Sequence, residues 1–165
     1  TENIANLYDE AIKIPFIVRW PGKTGLDKVV SAPVSNTDVY PTILKMLDID
    51  APRDLLLEGK DLSGLLMGQE LLNPQPVFAQ YDMANFGIAY LRMVRYENWK
   101  LVKRFNMGAD ADLIDELYNV ESDPGELTNL ISAAEHQEKR IELEKMLFNW
   151  QQQISDPLVA NLSQQ

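Results

Sequence analysis

No cysteine occurs in the 165 residues, which excludes disulfides, thiolate metal sites and a cysteine nucleophile within the chain and says little about compartment. Histidine is almost as scarce: His136 is the single one. It stands among charged residues at the start of a helical pattern, has no neighbouring nucleophile, and reads as a solvated helix residue. Ser31, Ser35 and Ser63 lie in no Gly-x-Ser-x-Gly elbow. Neither a Walker loop nor a Gly-x-Gly-x-x-Gly occurs, so nucleotide cradling is unsupported. No run of eighteen apolar residues is present, and so no segment of these residues reads as a membrane span. Positive charge is short, with 15 Lys and Arg against 25 Asp and Glu and a net charge of −10. That balance speaks against non-specific binding to nucleic acid or to an anionic membrane. Thr1 opens a polar segment with neither an initiator Met nor the basic and apolar regions of a secretory signal. The expectation is a processed product or an excised fragment.

What is present is a globular composition. Hydrophobic residues make up 45% of the chain, enough for a real core, and the length suits one ordinary domain. The stretch "IKIPFIVRWPGK" (12–23) reads as a strand over residues 16–20. Its near-continuous apolar run predicts burial on both faces, as in a parallel sheet covered by helices. "SNTDVYPTILKMLDI" predicts a helix over about 37–47, with Ser35, Asn36, Thr37 or Asp38 as its cap and Ile43, Leu44 and Leu47 on one apolar face. Residues 50–75 read as a surface excursion with a short helix around 62–67 that ends at Gly68. After Pro76 the pattern changes to short strands: "VFAQYD", then "IAYLRMVRY" and "WKLVKRF" around a Glu97-Asn98 turn, then "ELYNV". In the last segment Leu143, Leu147, Trp150 and Ile154 form one helical stripe, expected to pack across the sheet, and the chain beyond Pro157 is expected to fray. The fold class is therefore α/β passing to α+β.

Two constellations invite a chemical reading. "ELYNVESDPGELTNL" (116–130) holds Glu116, Glu121, Asp123 and Glu126, and closely spaced carboxylates are what Ca²⁺ takes. The acids are irregularly spaced, however, and a proline interrupts them. A strand, an Asp123-Pro124-Gly125 turn and a helix capped by Thr128 explain more of the residues. The second is a basic hairpin, where Arg92, Arg95, Lys100, Lys103 and Arg104 face a single acid, Glu97. Arg92 and Arg95 point to opposite faces of a strand, as do Lys100 and Lys103, so only a subset can converge on one sulfate or phosphate. The favoured alternative is that these cations protect exposed strands from edge pairing.

Three segments, "LYDEAIKIPFIVRWPGK" (7–23), "VSNTDVYPTILKMLDI" (34–49) and "ELYNVESDPGELTNL", occur in that order around the strand pair "RMVRYENWKLVKR". Together they resemble the C-terminal portion of a type I sulfatase of the alkaline phosphatase superfamily, over almost the whole chain. The resemblance implies that residues 1–70 end a large α/β domain, that 76–155 form a small antiparallel sheet of three to four strands packed by a C-terminal helix, and that 156–165 are a tail. It implies a parent enzyme that hydrolyses sulfate esters with a formylglycine, made from a C/S-x-P-x-R motif, beside a Ca²⁺. Neither that motif nor the metal-binding Asp-Asn-His segment occurs here, so no catalytic or metal-ligating residue is assigned and the chain alone is expected to be inactive. The family's sulfate-contacting Lys falls four residues before Tyr8, where this chain has Ile4.

Substrate contacts are expected from Tyr81, Asp82, Asn85 and Phe86, in a loop facing the catalytic half, and from Arg92 and Arg95 of the hairpin. The implied partner is that N-terminal half, with self-association through exposed strand edges expected in its absence. Periplasmic or extracellular location goes with the family. The alternatives are a stand-alone anion-binding module and a related phosphatase or phosphodiesterase.

Overall fold

The computed structural model describes residues 6–25, 27–69, 75–83, 89–105 and 114–162. In chain order the elements are α1 (Asp9–Ile12), a 3₁₀ turn at Asn36–Asp38, α2 (Val39–Met46), α3 (Ser63–Leu66), β1 (Val77–Met83), β2 (Ala89–Tyr96), β3 (Trp99–Phe105), β4 (Glu116–Asn119), a 3₁₀ turn at Ala134–His136, α4 (Gln137–Gln153) and α5 (Pro157–Leu162). They divide into two compact units, Thr1–Lys13 with Pro76–Gln165, and Ile14–Gln75.

In the first unit β1 to β4 form an antiparallel meander in sequence order. The tight Glu97-Asn98 turn joins β2 to β3, with Tyr96 opposite Trp99 and Glu97 at a φ of 53°. Alternation along the strands sends Leu91, Met93 and Val102 to one face, where they pack with Leu7 and Ile12. Val94, Leu101 and Leu117 go to the other, under Leu143 and Leu147 of α4. Trp150 follows the predicted helical stripe and stacks on Phe78 at 4.9 Å between ring centroids. Both faces of the sheet are thus covered.

The outer edge of β4 is closed by its own downstream chain. Leu130 donates its backbone N–H to Leu117 O at 2.8 Å, and the Asn129 amide accepts from Leu117 N and donates to Asp115 O. Thr128 therefore caps no helix. Its N–H bonds to Asp123 at 2.8 Å, and the helical chain starts only at Ala134. Nor does the chain fray directly after Pro157: Asp156 accepts from Leu158 N and starts α5, which runs to Leu162.

In the second unit Ser35 and Asp38 cap each other reciprocally. The buried Asp38 carboxylate also accepts from Lys60 N at 2.8 Å. Thr42 accepts from Leu62 N at 2.9 Å, so the polar side of α2 is sewn to the 60–62 loop. A methyl group on Gly59 would collide with the Thr37 carbonyl. Gly59→Ala is accordingly expected to cost roughly 1–3 kcal/mol, the usual overpacking penalty. Faster amide hydrogen exchange at Lys60 and Leu62 would report it.

Two sequence expectations are corrected in this unit. Residues 16–18 form no strand, and Ile17 is 91% exposed. A run patterned for burial on two faces finds no ladder partner among the described residues. The expected apolar face of α2 is split: Ile43 and, just past the helix end, Leu47 are exposed, Leu44 is half-buried, and the buried position is Thr42.

Candidate functional site

The basic hairpin is not a free cationic surface. β2 and β3 are the interior strands, so their cations blunt no edge; Arg92 and Lys100 are buried and Arg95, Lys103 and Arg104 half-buried, and a buried charge must be paired. Arg92 is 1% exposed. Its Nε donates to Asp156 Oδ2 at 2.6 Å and its Nη1 to Asp82 Oδ1 at 2.5 Å. Further bonds reach Leu91 O, Asp82 Oδ2 and Asp156 Oδ1. These use all the donors of a guanidinium. Burial alone would lower the Arg92 pKa, but the hydrogen bonds and charges of Asp156 and Asp82 raise it above its ordinary value.

On the opposite face Arg95 and Lys100 stand directly across from each other, a like-charge pair that would repel unaided. Two acids from distant segments resolve it. Lys100 is 0% exposed and its ammonium meets Leu7 O at 3.0 Å, Asp9 Oδ1 at 2.5 Å and Glu126 Oε1 at 2.6 Å. Arg95 Nη1 donates to Asp9 Oδ2 at 2.9 Å, and Glu126 also accepts from Asp9 N at 2.6 Å. Tyr8 and Tyr118 meet edge-on nearby, with centroids 6.2 Å apart. Burial and the Tyr8 hydrogen bond push the Tyr118 hydroxyl pKa up. A depression of about 380 Å³ opens beside this cluster, lined by Asp9, Glu10, Lys13, Arg95, Val120 and Pro124.

For Asp9 and Asp156, burial alone would raise the carboxyl pKa, but hydrogen bonds and charge outweigh it. Lys100 and then Arg95 hold Asp9 low, and Arg92 and Gln151 hold Asp156 low, below the ordinary 3.8. A carboxyl with a depressed folded pKa contributes stability above its unfolded pKa and loses it as the pH falls through the folded value. The urea midpoint is therefore expected to hold from pH 7 to about 5 and to drop steeply below about pH 4. A flat midpoint down to pH 2.5 would refute the pairing.

The residues expected to contact substrate are dispersed. Asp82 and Arg92 meet, but as each other's partners. Arg95 is on the other face, against Asp9. Tyr81 is half-buried, packs on the Leu91 and Met93 cluster and directs its hydroxyl to Met83 Sδ at 3.5 Å. Asn85 and Phe86 lie outside the described residues. The acids of 116–130 each have a partner: Arg104 for Glu116, Asn98 for Glu121, Thr128 N for Asp123, and for Glu126 the Lys100 it shares with Asp9. Among the described residues no group of three or more His, Cys, Asp or Glu side chains is placed to hold a metal ion. Asp9, Asp156 and Gln151 were not foreseen as partners. The available signal was Arg92 between Leu91 and Met93, a cation inside a strand of apolar neighbours.

The solved structure of YidJ from Bacteroides fragilis shares this fold, with a TM-score of 0.68 at 18% identity over 86% of this chain and 30% of that one. The uncharacterized sulfatase YidJ of Escherichia coli is 29% identical over 153 residues, covering 93% of this chain and 29% of its own. Rat steryl-sulfatase is 39% identical over 64 residues, 39% of this chain and 11% of its own. The chain thus spans less than a third of the length of these relatives. The layout of sheet and crossing helix is that of a sulfatase C-terminal domain. Residues 5–153 match the family described as N-sulphoglucosamine sulphohydrolase, C-terminal, and the chain belongs to that family.

Proposed function

We propose that the chain is the C-terminal part of a sulfatase that hydrolyses sulfate esters, and that it completes the enzyme's structure without supplying the reacting groups. The family match across residues 5–153 carries this reading. In it, the formylglycine and Ca²⁺ implied by the family belong to the portion N-terminal to Thr1. The coding region upstream of Thr1 provides the test. A C/S-x-P-x-R motif and an Asp-Asn-x-His-like segment in frame are expected. The longer polypeptide is expected to release sulfate from an aryl sulfate, and the chain alone to release none. A start codon or signal peptide directly before Thr1 would overturn the proposal. Assaying an aryl phosphate beside the sulfate separates a related phosphatase, and fractionation tests the export that goes with the family.

A second reading, an anion-binding module, rests on Lys13 and Arg95, which line the depression beside Asp9 and Glu10. Titrating the chain with sulfated disaccharides tests it, and binding should vanish in Arg95→Ala. Arg92 is unsuited as a control, since its removal would unseat Asp156.

A further inference from the structure

The sheet is closed along one edge and open along the other. At the β4 edge, Leu117 is bonded by Leu130 and Asn129. At the β1 edge, among the described residues, no hydrogen bond other than those of β2 reaches the backbone of residues 77–83. In an antiparallel ladder every second residue of an edge strand turns both its N–H and its C=O outward, so β1 presents an unpaired row of donors and acceptors. Exposed edges are ordinarily blunted by lysine, by proline, by a bulge or by brevity. β1 has none of these devices. It runs for seven residues, contains no Lys, Arg or Pro, and keeps an unbroken register with β2 from Val77 opposite Arg95 to Met83 opposite Ala89. Its one charge, Asp82, is neutralised by Arg92.

The side chains of β1 suit a second β1. A two-fold pair of antiparallel strands keeps like faces together, so its axis passes through a residue. With the axis at Gln80 the whole strand pairs: Val77 with Met83 of the second copy, Phe78 with Asp82, Ala79 with Tyr81, and Gln80 with itself. Ala79, Tyr81 and Met83 lie on the Leu91 and Met93 face, where every cross-strand pair is then apolar. On the other face two exposed Gln80 amides meet, each able to donate and to accept. No like charges are opposed. An axis at Asp82 would set two carboxylates against each other, which destabilises a pair, and an axis at Ala79 or Tyr81 leaves part of each strand unpaired.

We infer that β1 is a dimerisation edge, to which a second copy of this chain adds its own β1 antiparallel about a two-fold axis at Gln80, joining two four-stranded sheets into one continuous sheet. The association expected from the sequence came from edges bared by loss of the catalytic half. This edge belongs to a sheet covered on both faces, and the pairing does not rest on the sulfatase reading.

Because the chain has no cysteine, Gln80→Cys places a single thiol at the axis, where directly opposed Cα atoms about 4.5–5.5 Å apart fall within disulfide reach. Mild oxidation of the full chain is expected to link two copies through it, and to link Leu127→Cys, at an 88% exposed position, far more slowly. Sedimentation equilibrium of the parent should show a dimer. Gln80→Lys and Gln80→Glu should each weaken it roughly tenfold or more, since like charges then oppose across the axis, and an equimolar mixture of the two should restore it. Two readings separate repulsion from misfolding: circular dichroism of each variant alone, and slower exchange of amides 77–83 in the parent at high protein concentration than at low. A parent chain that stays monomeric at millimolar concentration overturns the inference, as does a dimer indifferent to charge at residue 80 and linked as fast through Leu127→Cys. So does a dimer of this chain that the longer polypeptide read upstream of Thr1 does not form. Sulfate release is scored separately and tests the sulfatase reading by itself.

Discussion

Replacing Lys100 by Met is expected to lower the stability of the chain by roughly 3–5 kcal/mol, the cost of breaking a buried ion pair by removing one partner. Met fills most of the volume of the lysine stem, so the effect isolates the charge. Without the ammonium, Leu7 O loses its donor, and Asp9 and Glu126, both drawn to the same nitrogen, face each other with only Arg95 to offset them. Glu126 is the more exposed to this loss electrostatically because its side chain is fully buried. Urea unfolding of the two proteins would measure the difference. Glu126→Gln in the Lys100→Met background should recover part of it, since a neutral amide removes one of the two opposed carboxylates. A Lys100→Met protein as stable as the parent would mean that the cluster contributes nothing net.

The second large effect belongs to Asp156. Its carboxylate accepts from Arg92 Nε and Nη2, Gln151 Nε2 and Leu158 N. It therefore ties the middle of β2 to the end of α4 and the first turn of α5. Asp156→Ala removes the cap of α5 and leaves Arg92, buried between strand and helix, with Asp82 as its only carboxylate. A loss of about 3–5 kcal/mol follows from the orphaned charge. The expected signature is local as well as global: protease cleavage near Pro157 should speed up more than cleavage within β3. Equal acceleration at both places would argue that Asp156 acts only through global stability.

Where local signals were strong, the fold was legible. The Glu97-Asn98 turn stands between two alternating runs, and Leu143, Leu147 and Trp150 recur at helical spacing. Both features are decided within a few residues of chain. The Phe16 to Val18 run was equally strong, yet it makes no strand here, because a ladder needs a neighbour that these residues do not provide. The tail was misread for a related reason. Pro157 looked like a breaker, but a proline suits the first turn of a helix, and what starts α5 is Asp156, fixed by an arginine 64 residues earlier. The site was least legible of all. Period-two alternation correctly put Arg92 and Arg95 on opposite faces, but their partners Asp9, Asp82 and Asp156 lie on other elements, and no spacing rule connects Lys100 to an acid 91 residues before it.

The staple between Asp9 and Glu126 also imposes an order in time. The Asp9 N–H is accepted by a carboxylate 117 residues downstream, so a ribosome must deliver all four strands before the segment carrying Asp9 can be fastened. During that interval the Leu91, Met93 and Val102 face of the sheet is being made without the Leu7 to Ile12 segment fastened across it. Contacts so distant in sequence form late, and apolar surface waiting on them invites association with other chains. The protein's most vulnerable moment thus falls during its own synthesis, after β2 is made and before Glu126 arrives.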